Sequence, residues 1–305
     1  MSAQFISTGS ITLDLALGGG GIPRGRITEI FGPACSGKTT LCQYLMAHLQ
    51  QTGGRAAFVG AKETLDPLYA SQCGVNLTTL SISQPQNYEQ ALQMVSALVQ
   101  SRTIDAIVID AVAALPLQEK TEETSPPGAK ARLMSQTLRK LVEAISDTNC
   151  TLIFTTKISQ STSASSSTPA GKALRFYAFI RLATRNISRI KPGLERGGTR
   201  IQVKVVKNRG APPFRSAAFD IIDDEGISRE GELLDLGQKM GLLTKDEGGF
   251  ALLDVHLGQE REQAKAFLRH QRDIAAQLEE QIRSKMIFFR NEAYWFEDEE
   301  PPREE

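Results

Sequence analysis

The stretch Gly32-Pro33-Ala34-Cys35-Ser36-Gly37-Lys38-Thr39 fits the pattern G-x-x-x-x-G-K-[ST] at every fixed position. The chemistry explains the pattern. Glycines let the backbone wrap closely around phosphates and aim its N–H groups inward. The Lys38 ammonium neutralises the outer phosphate oxygens, and the Thr39 hydroxyl is a ligand for Mg²⁺. The flanks raise the specificity of the match. Ile27–Phe31 reads as an apolar strand, and Lys38–Gln51 as a helix with Leu41, Leu45 and Leu49 on one face. The N-terminus of that helix adds positive potential. The expectation is a strand–loop–helix unit holding ATP and Mg²⁺, with Thr40 completing the loop's contacts.

Downstream, strands and helices alternate. Gly53-Gly54 stops the first helix, and Ala56–Val59 is the next strand. Asn87 caps a helix over Tyr88–Gln100, where Leu92, Val95 and Val99 recur at helical spacing. Ala106–Ile109 is a continuous apolar strand ending in Asp110; a helix over Ala129–Ile145 and a strand over Thr151–Thr155 follow. This alternation implies a parallel sheet covered on both faces. Beyond about residue 173, Phe176–Leu182, Arg200–Val206 and Ala217–Ile222 read as strands joined by turns, so antiparallel pieces extend the sheet. From Gly231 the chain turns helical and more charged. The division expected is a core over 1–230, a small C-terminal domain over 231–291 and an acidic tail over 292–305. That tail holds seven acidic side chains and one arginine.

Asp110 is the second chemical element. A carboxylate at the C-terminal end of a buried strand is where a phosphate-loop protein holds Mg²⁺; the alternative is a carboxylate that caps a helix. Two polar segments, 119–128 and 159–168, follow strands, and the second is nearly all Ser and Thr.

The 305 residues suffice for a large core with an appendage. Composition is that of an ordinary globular protein, and the formal net charge is zero, so no global basic field advertises a nucleic-acid partner. Cys35, Cys42, Cys73 and Cys150 lack metal-ligand or disulfide-framework spacing, and His48, His256 and His270 are too scattered for a metal site. No apolar run reaches membrane-spanning length and no signal sequence opens the chain, so a cytoplasmic protein with no membrane partner is expected. Tyr294, Trp295 and Phe296 read as an anchor for the last helix.

A longer run resembles the bacterial RecA recombinase family. It includes Ile6–Ser10, Leu13-Asp14, Gly18–Gly21, Gly25–Ile27, Gly32–Thr40, Leu65–Ala70, Ser83–Pro85 and Val108–Leu115. It continues through Arg132–Gln136, Ala173–Tyr177, Val205–Asn208 and Gly231–Leu233, and so covers nearly the whole chain. The resemblance implies an α/β fold: a RecA-type phosphate-loop ATPase core with a mostly parallel central sheet, plus a small α/β C-terminal domain. It implies that Asp66 and Tyr69 sit at the adenine and that Asp110 is the Mg²⁺ carboxylate. Lys207 and Arg209 match cations that reach a neighbouring subunit's ATP, and 119–128 and 159–168 match DNA-binding loops.

The departures fall on function. Where the family has a glutamate that activates water, this chain has Lys62, which cannot accept that proton while charged. Glu63 is adjacent, but one step along a strand points to the other face unless a bulge rescues it. A glutamine that senses γ-phosphate is replaced by Lys157. The second loop lacks aromatic, Arg and Lys side chains, which favours a plain linker at least as much as a DNA clamp. The helix and strand that join RecA subunits do not precede the core in this sequence, so weak self-polymerisation is expected. The favoured expectation is an ATP-binding accessory of DNA repair with weak or absent hydrolysis, acting with RecA filaments or a translesion-polymerase complex. The alternative is an active DNA-dependent ATPase that binds single-stranded DNA and exchanges strands. A small-molecule kinase would need an acceptor pocket or lid, and none is legible.

Overall fold

The structure, a computed structural model, describes residues 4–61, 63–110, 115–116, 129–158, 169–190, 197–223, 225–246, 248–253 and 255–288. A two-stranded pair, β1 (Phe5–Ile6) and β2 (Ile22–Pro23), brackets the short helix α1 (Ile11–Ala16). The strand–loop–helix unit follows as β3 (Ile27–Gly32) and α2 (Lys38–Gln51). Then come β4 (Ala56–Gly60), α3 (Pro67–Gln72), β5 (Ser81–Ser83), α4 (Tyr88–Gln100), β6 (Ala106–Asp110), α5 (Ala129–Thr148) and β7 (Thr151–Lys157). The core closes with α6 (Pro169–Tyr177), β8 (Ile180–Ile190), β9 (Gly198–Asn208), β10 (Ser216–Ile222) and β11 (Gly226–Ile227).

One nine-stranded sheet has the order β11-β10-β9-β8-β3-β7-β6-β4-β5. From β8 to β5 neighbours are parallel, and β8 to β11 are antiparallel. The strands of the parallel half are apolar throughout because both faces are covered. In β6, Ala106 and Val108 pack with Leu41, Leu45 and Leu49 of α2, while Ile107 and Ile109 pack with α4 and α5. Asn87 Oδ1 accepts from Gln90 N at 2.8 Å and starts α4 as its sequence position predicts.

One expectation is corrected here. A strand was expected over Phe176–Leu182, but α6 runs to Tyr177 and β8 begins only at Ile180. Leu174 and Ala178 join the core under α5, while Phe176 is 70% exposed. Helical spacing, not alternation, decides which residues of this segment are covered.

The C-terminal residues form α7 (Arg229–Lys239), the antiparallel sheet β12 (Leu243–Asp246), β13 (Gly249–Leu252), β14 (Val255–Gly258), then α8 (Arg261–His270) and α9 (Arg272–Phe288). Their core of Leu233, Leu234, Phe250, Leu268 and Leu278 also takes in Ile11 of α1. The seam is polar as well. Ser10 Oγ donates to Glu232 Oε1 at 2.5 Å and Thr12 N donates to the same oxygen at 3.1 Å. Asp14 accepts from Ser7 Oγ, Thr8 N and Thr8 Oγ1. Burial pushes the Glu232 carboxyl up to about 7 and raises that of Asp14. Arg200 and Arg261 each bridge Asp220 of β10 to Asp235 of α7.

Among the described residues no helix is long and apolar enough to cross a membrane. His256 and His270 each bond a main-chain carbonyl, and no cluster of three or more His, Cys, Asp or Glu among the described residues could hold a metal.

Candidate nucleotide site

The loop between β3 and α2 is shaped by three backbone positions. At Gly32 an added Cβ would lie 2.3 Å from Thr184 Oγ1 and 2.7 Å from Ser36 Oγ, so only glycine fits. Gly37 has φ +80°, and Cys35 is held at φ +55°, a region non-glycine residues seldom occupy. Strand β8 braces the loop from behind. Ser36 Oγ and Thr184 Oγ1 are 2.6 Å apart, and Asn186 Nδ2 donates to Cys35 O at 3.1 Å. Ser36 Oγ also donates to Pro33 O at 2.9 Å.

Lys38 Nζ folds back over the loop, donating to Gly32 O at 3.2 Å and to Pro33 O, with Ser36 Oγ 3.4 Å away. Burial lowers its pKa, the Asp110 charge opposes that, and the Lys157 charge adds to it. On the other side Thr39 Oγ1 donates to Asp110 Oδ2 at 2.7 Å, and Thr155 Oγ1 donates to Asp110 Oδ1. Asp110 therefore ends β6 in the cradle. Parallel registers place Asp110 opposite Thr155 and Gly32 opposite Lys157.

This donor set fits a magnesium nucleotide. Mg²⁺ takes one or two protein oxygens and completes its shell with phosphate and water, and Thr39 and Asp110 are two adjacent hard oxygens. The Lys38 ammonium rests on carbonyls and a hydroxyl that a phosphate can replace, beside the N-terminus of the 14-residue helix α2.

Family models for the RecA N-terminal domain and the RecA C-terminal domain match residues 1–228 and 231–287. The chain belongs to the RecA family. It is 50% identical over 291 residues to Protein RecA of Herpetosiphon aurantiacus, covering 93% of this chain and 81% of that one. It is 46% identical over 294 residues to Protein RecA of Chloroflexus aggregans, covering 94% and 84%. A solved structure described as the RadB recombinase aligns with TM-score 0.57 at 21% identity over 73% of this chain and 98% of that one, a likeness of fold.

The other residues singled out from the RecA resemblance distribute unevenly. Tyr69 lies beside the cradle, its hydroxyl 3.3 Å from Thr40 Oγ1, and burial pushes it up to about 12. Asp66 is the N-cap of α3, where its Oδ1 accepts from Leu68 N and Tyr69 N. Glu63 is exposed in a turn beyond the end of β4, where Thr64 N donates to Ala61 O, so the strand-alternation argument does not apply to it. Lys62, the segments 119–128 and 159–168, Trp295 and the acidic tail lie outside the described residues. Lys207 Nζ donates to Arg175 O at 3.0 Å and Phe176 O at 3.2 Å, and Arg209 Nη2 reaches Phe176 O at 3.5 Å. Both cations thus serve the carbonyl end of α6 in this chain.

Thr155, Thr184 and Asn186 brace the cradle and were not singled out from the sequence. Their roles depend on which strands neighbour β3, and no local motif encodes that.

Proposed function

We propose that this chain is a RecA-type recombinase, a Mg-ATP-dependent protein that binds single-stranded DNA and pairs strands. The observation that carries the reading is the cradle, in which Lys38, Thr39, Asp110 and Thr155 converge at the end of the sheet. In this reading Gly32–Thr40 wrap the phosphates, Thr39 and Asp110 hold Mg²⁺, and Tyr69 packs at the adenine with Asp66 beside it. Bound Mg²⁺ neutralises phosphate charge. Residues 1–230 form the ATP-binding core, 231–291 a C-terminal domain, and Lys207 and Arg209 would leave α6 to meet a neighbouring subunit's nucleotide.

A second reading rests on two residues, Lys62 and Lys157, which stand where the resemblance implies a glutamate and a glutamine. In it the chain retains ATP, turns it over slowly, and acts as an accessory of RecA filaments or of a translesion-polymerase complex. ATP turnover and strand exchange, each with and without single-stranded DNA, decide between the two. DNA-stimulated turnover by the unmodified chain supports the recombinase. Turnover that emerges only in Lys62→Glu sinks it in favour of the accessory.

A further inference from the structure

We infer that Thr184 and Asn186 of β8 are positioning residues of the nucleotide site: from behind the phosphate loop they hold it in its binding shape before a nucleotide arrives, and so set nucleotide affinity. The inference rests on the ATP reading above and deepens it.

The loop is strained where it is braced. Cys35 sits at φ +55° and Gly37 at φ +80°. A non-glycine residue in that region persists only where its surroundings over-determine it. Alternation puts Thr184 and Asn186 on one face of β8, and both reach the loop, while Arg185 between them bonds Gln202 of β9. Ser36 Oγ gives its hydrogen to Pro33 O at 2.9 Å, so in the 2.6 Å contact between Ser36 Oγ and Thr184 Oγ1 the donor is Thr184. Asn186 Nδ2 donates to Cys35 O at 3.1 Å. A bulge follows at once: Asn186 pairs with Ile201 and Ser188 with Arg200, which leaves Ile187 as the extra residue. Bulges beside a site serve to re-aim a side chain. Ile201, the partner of Asn186, has its Cδ1 2.9 Å from where a Cβ on Gly37 would stand. One cross-strand pair therefore holds both ends of Cys35–Gly37.

The bond from Asn186 also decides which way a peptide faces. In a planar trans peptide the C=O and the N–H point in opposite directions. Asn186 draws the Cys35 carbonyl toward β8, so the Ser36 N–H is turned away from β8, to the side on which the cradle opens. Without that bond the peptide is free to flip and bring an oxygen where a phosphate needs a donor. A diphosphate and a triphosphate both use this loop, so the two lose affinity alike. A group that touched the terminal phosphate would discriminate between them.

Isothermal titration calorimetry of the full chain with ATP and with ADP in Mg²⁺, together with the rate of Cys35 alkylation, tests this. Asn186→Leu keeps the size and removes the donor. It should weaken both nucleotides by the same factor, about five- to tenfold, the effect of one lost hydrogen bond. It should also speed alkylation of Cys35 in the nucleotide-free protein, while the buried Cys42, Cys73 and Cys150 stay protected. A globally weakened fold would expose all four. Thr184→Val should weaken both nucleotides to a similar degree, and Thr184→Ser, which keeps the hydroxyl, should recover most of the loss. Unchanged affinity in Asn186→Leu, a loss confined to ATP, or a loss in Thr184→Ser as large as in Thr184→Val overturns the inference while leaving the ATP reading intact. Failure of the unmodified chain to bind either nucleotide in Mg²⁺ overturns the ATP reading, and this inference with it.

Discussion

Asp110 in the cradle and Glu232 at the seam between α1 and α7 are both buried, at 5% and 2% exposure, and both are gripped by hydroxyl donors. Their surroundings differ in charge. Asp110 faces the Lys38 ammonium. Glu232 has Asp14 and Tyr44 as electrostatic neighbours, and its Oε2 has no hydrogen-bond partner among the described residues. A carboxylate beside a cation and two hydroxyls is prepared to share its oxygens with a hard metal. A carboxylate among neutral donors and another acid is prepared to keep a proton. The same side-chain chemistry serves the proposed Mg²⁺ position in one place and a structural clasp in the other.

The sharpest test uses a third buried carboxylate that has a full counter-charge. Arg181 Nε donates to Glu29 Oε2 at 2.6 Å, and its guanidinium lies 4.3 Å from the Phe31 ring centre. Arg181→Met should cost about 3–5 kcal/mol in urea denaturation because Glu29 is left charged and unpaired. The double variant Glu29→Gln/Arg181→Met should recover more than half of that. A single-variant loss under about 1 kcal/mol, the value of an exposed pair, would mean that counter-charge does not distinguish these sites.

Next is the pH dependence of the seam. Between pH 4.5 and about 7 folded Glu232 keeps a proton that the unfolded chain releases. Stability therefore falls as pH rises through that window, by about 3 kcal/mol at 1.36 kcal/mol per unit. Glu232→Gln should flatten this fall when stabilities at pH 5 and pH 8 are compared; an unchanged slope would place the proton elsewhere. For Asp110→Asn, calorimetry should show Mg²⁺-dependent ATP affinity reduced about 10- to 100-fold, with affinity in EDTA nearly unchanged. Equal losses in both buffers would remove Asp110 from the metal. The smallest effect is expected at Ser10, which accepts from Leu13 N at 3.1 Å as the N-cap of α1 while donating to Glu232. Ser10→Ala should lower stability by about 1 kcal/mol, read by thermal melting at pH 5, where Glu232 holds its own proton.

The sequence made the strand–loop–helix unit legible because its constraints are local. The bounds of α2 and α4 coincide with Lys38–Gln51 and Tyr88–Gln100, each set by apolar spacing and by glycine or an asparagine cap. Helix α6 was not legible, since Leu174 is buried and Ala173 and Tyr177 only half-buried near its end, Phe176 is exposed, and the helix follows a Ser/Thr run. Asp66 carries two readings at once, and its capping of α3 emerges only with the turn geometry. The pairing of Gly32 with Lys157, and the docking of Lys207 and Arg209 on α6, are register and packing facts between segments far apart in the chain. No window of sequence contains them.

Cys35 stands exposed on the phosphate loop, while Cys42, Cys73 and Cys150 are buried and burial pushes their thiols up. A mild alkylating reagent therefore meets one thiol in the native protein and four in the denatured chain. The fold supplies its own occupancy gauge: whatever fills the cradle should slow the one-to-one labelling of Cys35, with no reporter introduced.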